Sequence, residues 1–130
     1  MIENHSPLKS VRNVLGTDLT VCGTDPVTGY SRDGFCRRLP GDRGNHVLCA
    51  VMTQEFLEYT ASQGNDLSTP IPEFDFPGLK PGNQWCLCIL RWLQALDAKC
   101  APPVILEATH ESALEWVDRE VLEKYATQKP

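Results

Sequence analysis

Residues His46 to Met52 read His-Val-Leu-Cys-Ala-Val-Met, a nearly unbroken apolar run, and Thr53-Gln-Glu follows it directly. An apolar run of this length between polar stretches fits a strand covered on both faces. Thr53 is a good helix cap, because its hydroxyl can accept a first-turn N–H, and Gln54 and Glu55 suit the positive end of the helix dipole. Phe56, Leu57 and Tyr59 supply an apolar side, and Gly64 is a natural terminator. A buried strand feeding a helix over Gln54 to Gln63 is therefore the unit around which the chain must fold.

Similar signals organise the rest. Asn83 caps a helix running to about Ala98, and Val104 to Glu107 reads as a second buried strand after the break Ala101-Pro102-Pro103. Thr109 then caps a helix beginning near His110, with Leu114, Val117, Val121 and Tyr125 at helical spacing. Asp118 offers a second cap, so one bent helix and two short ones fit equally. Between Asn13 and Arg38 the turn signals Leu15-Gly16, Asp25-Pro26, Thr28-Gly29 and Asp33-Gly34 separate short segments at Leu19 to Cys22, Tyr30 to Arg32 and Phe35 to Arg38. These read as small hairpin-like strands. Pro40 to Asn45 is a loop. Asn65 to Gly82 is a loop of eighteen residues with Pro70, Pro72, Pro77 and Pro81. Loops this long often carry function, and Phe74, Phe76 and Leu79 give this one the means to pack down.

The expected fold is α+β, of mixed α/β content: a small sheet with helices packed on it, short N-terminal strands and a long proline-rich loop. Residues 1–12 are polar and expected to be flexible, and 13–127 to form a single globular domain. At 130 residues the chain is long enough for a real core. Its formal net charge of −5 argues against a nucleic-acid surface, which needs a basic stripe. The N-terminus lacks the apolar core of a secretory leader, and no run approaches the roughly 18 apolar residues of a membrane span. The cytoplasm is the expected location. Cysteines 22, 36, 49, 86, 88 and 100 then read most simply as reduced thiols, with disulfides the weaker alternative.

Several long motifs carry a resemblance. They are Cys22-Gly-Thr-Asp-Pro-Val-Thr-Gly29, Arg32-Asp-Gly-Phe-Cys36, Gly64-Asn-Asp-Leu-Ser-Thr-Pro70, Phe76-Pro-Gly-Leu-Lys-Pro-Gly-Asn-Gln-Trp-Cys-Leu-Cys88 and Leu106-Glu-Ala-Thr-His110. Together they resemble the bacterial domain-of-unknown-function family 2237 from Asn13 to about Tyr125. The resemblance implies a small stand-alone domain. It implies no reaction, cofactor or partner.

The residues themselves offer several sites. On a helix Cys86 and Cys88 would stand about 200° apart. Cys88 would share a side with Gln84, Arg91 and Ala95. A cation one turn away favours a thiolate, so Cys88 is the better candidate for a reactive thiol, against the ordinary fate of both as small buried hydrophobes. His46 and Cys49 would face opposite sides of a strand and should not share a metal. Cys49 belongs to the core, and His46 could line a pocket or simply be wet. Glu107-Ala-Thr-His110-Glu111 is an acid–base cluster at a strand end and helix start, where ligands often bind in α/β sheets. Its ordinary reading is a capping turn. Asn65 to Thr69 is either an Asx turn or the polar floor of a site. Glycine-rich phosphate loops, His-Glu-x-x-His, Gly-x-Ser-x-Gly and Cys-x-x-Cys do not occur.

The leading expectation is a domain binding an unidentified small molecule in a pocket walled by the long loop, the helix start at Trp85 and the turn at His110. His46, Asp66, Ser68, Trp85, Arg91 and Glu107 would contact the ligand, and Cys88 with His110 would form a catalytic or redox extension. No cofactor or resident metal is assigned. One alternative is a zinc-stabilised domain drawing on Cys22, Cys36, His46 and a later cysteine. The other is an interaction module using Trp85, Trp92 or Trp116, although core packing is expected for tryptophans at helical positions.

Overall fold

Asn13 anchors the N-terminal end. The computed structural model of the chain describes residues 6–127. In it the buried Asn13 amide donates to Thr17 Oγ1 (2.8 Å), the Asp18 carbonyl (3.1 Å) and the Glu107 carbonyl (3.0 Å). Its Oδ1 accepts the Leu15 and Thr17 N–H groups. This closes the turn between two antiparallel strands, β1 (Leu8–Arg12) and β2 (Asp18–Leu19). Part of the stretch expected to be flexible, 1–12, is therefore β1, and Met1 to His5 lie outside the described residues. Of the other small strands expected, only the start of Leu19 to Cys22 is one. Tyr30 to Arg32 and Phe35 to Arg38 are not strands, because this region bonds in turns instead, as where the Arg32 N–H meets Gly29 and the Gly34 N–H meets Thr28.

The apolar run after His46 becomes β3 (Leu48–Val51), and Thr53 caps α1 (Gln54–Ser62) by accepting the Phe56 N–H. β3 pairs antiparallel with β4 (Gln84–Leu87) in the register Leu48–Leu87, Cys49–Cys86, Ala50–Trp85 and Val51–Gln84. The helix expected from Asn83 thus starts late: Gln84 to Leu87 is extended, and α2 runs over Ile89–Asp97. A short apolar run has no period of its own, and an unpaired buried β3 edge would leave backbone groups unmet, so strand pairing wins. Cys86 and Cys88 accordingly share no helix face.

The opposite edge of β3 meets the chain after Pro103. Val104 bridges Ala50, the Ile105 N–H bonds the Cys49 carbonyl, and the His110 N–H bonds the Val47 carbonyl. The expected second strand is reduced to that bridge. Pro102 and Pro103 bring no N–H donors to it, and the chain turns at once into a 3₁₀ turn at Leu106–Ala108. The last segment resolves into two pieces, a 3₁₀ turn at Glu111–Glu115 and α3 (Arg119–Lys124), with Asp118 at the second cap position. The architecture is α+β, with three helices and two small antiparallel sheets among the described residues.

The core joins β3, β4 and the helices. Trp92 is fully buried, donates its indole N–H to the Pro102 carbonyl (3.1 Å) and meets Tyr125 edge-on. Trp85 is buried against Phe76. Trp116 departs from the expected core role and is 46% exposed, because it ends a 3₁₀ turn whose inward face is taken by Ser112 and Ala113.

The cysteines also depart from expectation. Cys22 bonds Cys49 and Cys36 bonds Cys86, which leaves Cys88 and Cys100 as the free thiols. The register that sets Cys49 opposite Cys86 provides two anchor points, and the turns carrying Cys22 and Cys36 fold over them. The expectation of six reduced thiols is thereby corrected at Cys22, Cys36, Cys49 and Cys86, where disulfides, the weaker alternative, are found. By loop-closure entropy each bridge contributes on the order of 4 kcal/mol. No helix among the described residues is long and apolar enough to cross a membrane.

Gly78 locks the long loop. It has φ +82°, and a Cβ there would overlap the Ser68 carbonyl oxygen. Gly64 has φ +89° but open space around it. Gly64→Ala should therefore cost about 1 kcal/mol, the strain of the left-handed backbone alone. Gly78→Ala should cost clearly more. Thermal or denaturant unfolding of the two variants checks the order.

Candidate functional site

The loop 65–82 folds on itself before it meets the core. The Asp66 carboxylate accepts the Ser68 N–H (2.9 Å), the Thr69 N–H (3.2 Å) and the Thr69 hydroxyl (2.6 Å). The Thr69 hydroxyl and the Ser68 N–H hold the Asp66 carboxyl below its usual range. The Leu79 N–H bonds the Leu67 carbonyl, and Ile71 bridges Phe76 around a 3₁₀ turn at Pro72–Phe74. The loop thereby turns Leu67, Ile71, Phe74 and Phe76 toward the Tyr30–Arg32 turn, with Trp85 beneath. Between them lies a cavity of about 520 Å³.

One polar corner of this cavity is rigid. Asp42 is buried, and its carboxylate grips His46 twice: Oδ2 accepts the His46 backbone N–H at 2.8 Å, and Oδ1 lies 2.6 Å from Nδ1. An ionised carboxylate only accepts, so Nδ1 carries the proton and Nε2 keeps its lone pair in the neutral ring. Gly44 makes room for the imidazole, since a Cβ there would sit 2.6 Å from His46 Cε1. Tyr30 stacks on the ring with centroids 6.3 Å apart and donates its hydroxyl to the Gly41 carbonyl.

The second polar corner is Arg32. Its guanidinium lies 5.1 Å from the Trp85 ring centroid and donates to the Gly29 carbonyl at 2.7 Å. Among the described residues no carboxylate pairs with it. Its backbone has φ +57°, a conformation uncommon for arginine, which turns the chain so that the side chain reaches back over Trp85.

Of the residues expected to contact a ligand, His46, Asp66 and Trp85 line this cavity together. Ser68 does not; its N–H serves Asp66 and its carbonyl packs on Gly78. Arg91 reaches the Gln63 carbonyl and Gln94 on the outside of α2. The Glu107 side chain is exposed, while its carbonyl anchors Asn13 and Thr20. Cys88 is half-buried just before α2 and makes no capping bond. His110 is half-buried, and its Nδ1 accepts the Ser112 N–H at 3.0 Å. Cys88 continues β4 on one side of β3, whereas His110 is bonded to Val47 on the other, and neither lines the cavity. Sequence reading missed Tyr30, Arg32 and Asp42. The tight spacing Asp42-Arg-Gly-Asn-His46 was the one available sign of the dyad.

A second cluster lies beneath the cavity floor. The Sγ atoms of Cys22, Cys36 and Cys49 lie within 4.8 Å of one another, and Cys86 is bonded to Cys36. Ile105 and Ala108 pack around them. Of the zinc pool read from the sequence, Cys22, Cys36 and a later cysteine come together, and only His46 stays apart, held by Asp42.

A family model described as "Uncharacterized protein conserved in bacteria (DUF2237)" matches residues 12–126. The chain belongs to that family. No curated protein matches it.

His110 makes a pH prediction. Burial lowers its pKa from 6.5; Glu111 acts against this, Arg38 with it, and Glu115 against it. A lowered value means that the unfolded chain takes up the proton first as pH falls. Stability is therefore full above the ordinary value of 6.5 and declines as pH drops from there toward the folded value. His110→Asn keeps a capping side chain and should flatten that decline in thermal melts taken across this range. An unchanged slope would remove His110 as its source.

Proposed function

We propose that the protein binds a small ring-bearing carboxylate in the cavity between the long loop and the Tyr30–Arg32 turn. The observation that carries this reading is the pairing of two polar corners, Arg32, which among the described residues has no carboxylate partner, and the Asp42–His46 dyad, within aromatic and aliphatic walls. The cavity has the size and mixed lining common to small-molecule sites, which run from about 300 to 1,000 Å³. Leu67, Ile71, Phe76 and Trp85 offer flat apolar contact. Arg32 offers the planar fork that suits a carboxylate. Asp66 also lines the cavity and keeps its charge, but it is exposed, where water and salt screen it from a bound carboxylate.

His46 extends the reading toward proton transfer. A carboxylate that fixes the imidazole tautomer and leaves Nε2 as an acceptor is the base-and-orienter pair of acid–base catalysis. Among the lining residues Cys86 is tied up in a disulfide, so nothing there supports thiol chemistry. Catalysis by Cys88 with His110, or ligand contact by Ser68, Arg91 or Glu107, draws no support from this cavity.

Equilibrium titration with 2-naphthoate, followed by tryptophan fluorescence in a Trp116→Phe background where Trp85 lines the cavity and Trp92 is sealed in the core, tests the reading. Binding is expected, and Arg32→Ala should weaken it about tenfold, or about 1.4 kcal/mol. Cys88→Ser should bind unchanged. No binding of naphthoate, or equal binding of the cationic 2-naphthylmethylammonium, would overturn the proposal.

A further inference from the structure

We infer that Cys22, Cys36, Cys49 and Cys86, when reduced, hold one Zn²⁺ as a tetrathiolate, and that oxidation to the two disulfides expels it. The two bridges lie against each other. Three sulfurs drawn from both of them fall within 4.8 Å of one another, and the fourth is bonded to one of the three. A tetrahedral zinc with bonds of about 2.3 Å needs four sulfurs about 3.8 Å apart. Three of the four sulfurs are already gathered, so a tetrahedral site requires the two S–S bonds to open and the Cys86 sulfur to join the other three.

The donor set is uniform and soft. Three sulfurs meet and the fourth is bonded to one of them, and the metal-ligating group they form holds no carboxylate or imidazole, which suits zinc over hard oxygen-seeking cations. Cys49 and Cys86 stand opposite each other on β3 and β4, so the most ordered part of the fold presents half the ligands. Cys22 and Cys36 come from turns that bond each other's flanks, as where the Cys22 N–H meets the Gly34 carbonyl at 2.7 Å. All four cysteines are buried, with Ile105 and Ala108 around them. A closed site of this kind is structural, with no open position for water.

The redox step balances with a peroxide as oxidant. The zinc tetrathiolate loses four electrons to two hydrogen peroxides. Two S–S bonds form, both O–O bonds break, and Zn²⁺ and four hydroxides are released. In reverse, two small dithiols each reduce one protein disulfide and become cyclic disulfides. Binding of Zn²⁺ then displaces four thiol protons. The zinc form fits a reducing cytoplasm and the disulfide form an oxidising environment.

The test uses the full chain, reduced anaerobically, freed of reductant and titrated with Zn²⁺ against a chromophoric chelator, with the metal then measured by mass spectrometry. One zinc per chain is expected, with four thiols shielded from alkylation. Two equivalents of hydrogen peroxide should release the zinc. Cys86→Ser should weaken zinc binding at least tenfold, while Cys88→Ser and Cys100→Ser should leave it intact. If the reduced chain loses structure, added Zn²⁺ should restore its circular dichroism. The inference is overturned if the reduced chain takes up no zinc, if Cys86→Ser binds as tightly as the parent, or if the disulfide form holds zinc equally well.

Discussion

The antiparallel pairing of β3 with β4 is the constraint on which the rest of the molecule depends. It sets Cys49 opposite Cys86 and Ala50 opposite Trp85. The cysteine pair anchors the two turns that carry Cys22 and Cys36, and between those turns the chain presents Tyr30 and Arg32. The tryptophan becomes the base of the cavity. Just before β3 the chain passes through Asn45, whose carbonyl receives the Ile89 N–H at the start of α2, and so fixes the ground on which His46 stands. A few hydrogen-bonded residue pairs thus locate both the aromatic wall and the imidazole.

The cavity and the sulfur cluster share this scaffold but differ in what they offer a ligand. The cavity opens on groups with unused capacity: a guanidinium that no carboxylate among the described residues pairs with, and the imidazole nitrogen that Asp42 does not hold. The cluster is closed and apolar around its sulfurs. Cys86 belongs to both, as lining of one and member of the other. Opening the Cys36–Cys86 bridge would therefore change a residue of the cavity wall.

Local chemistry was legible in the sequence wherever one turn or one cap decides the structure. Thr53 capping α1, the apolar run that becomes β3, and the Asx turn at Asp66 all follow from neighbours a few residues apart. The residues from Gln84 to Leu87 were misread because their apolar run has no distinctive period and the partner that makes it a strand lies some 35 residues away. The cysteine pairs span 27 and 50 residues, and no spacing rule encodes such meetings. His46, Asp66 and Trp85 were singled out for their chemistry and their places near the long loop, and they do line one cavity. Arg32 escaped notice because it looks like an ordinary turn residue until Trp85 is brought beneath it across the fold, and Asp42 because aspartate is at home in a turn whether or not it grips His46 four residues on. Cys88 and His110 attracted attention through reactive side chains, which carry no information about which side of β3 each one occupies.

The central claim is that Asp42 presents His46 as a proton acceptor to a ligand in the cavity. Long-range ¹⁵N–¹H NMR of the imidazoles, recorded while 2-naphthoate is added, tests it most directly. The account predicts that His46 is protonated on Nδ1 in its neutral form, and that naphthoate shifts His46 and the Trp85 indole while leaving His110 in place. A His46 ring protonated on Nε2, or ligand-induced shifts centred on His110, would contradict it.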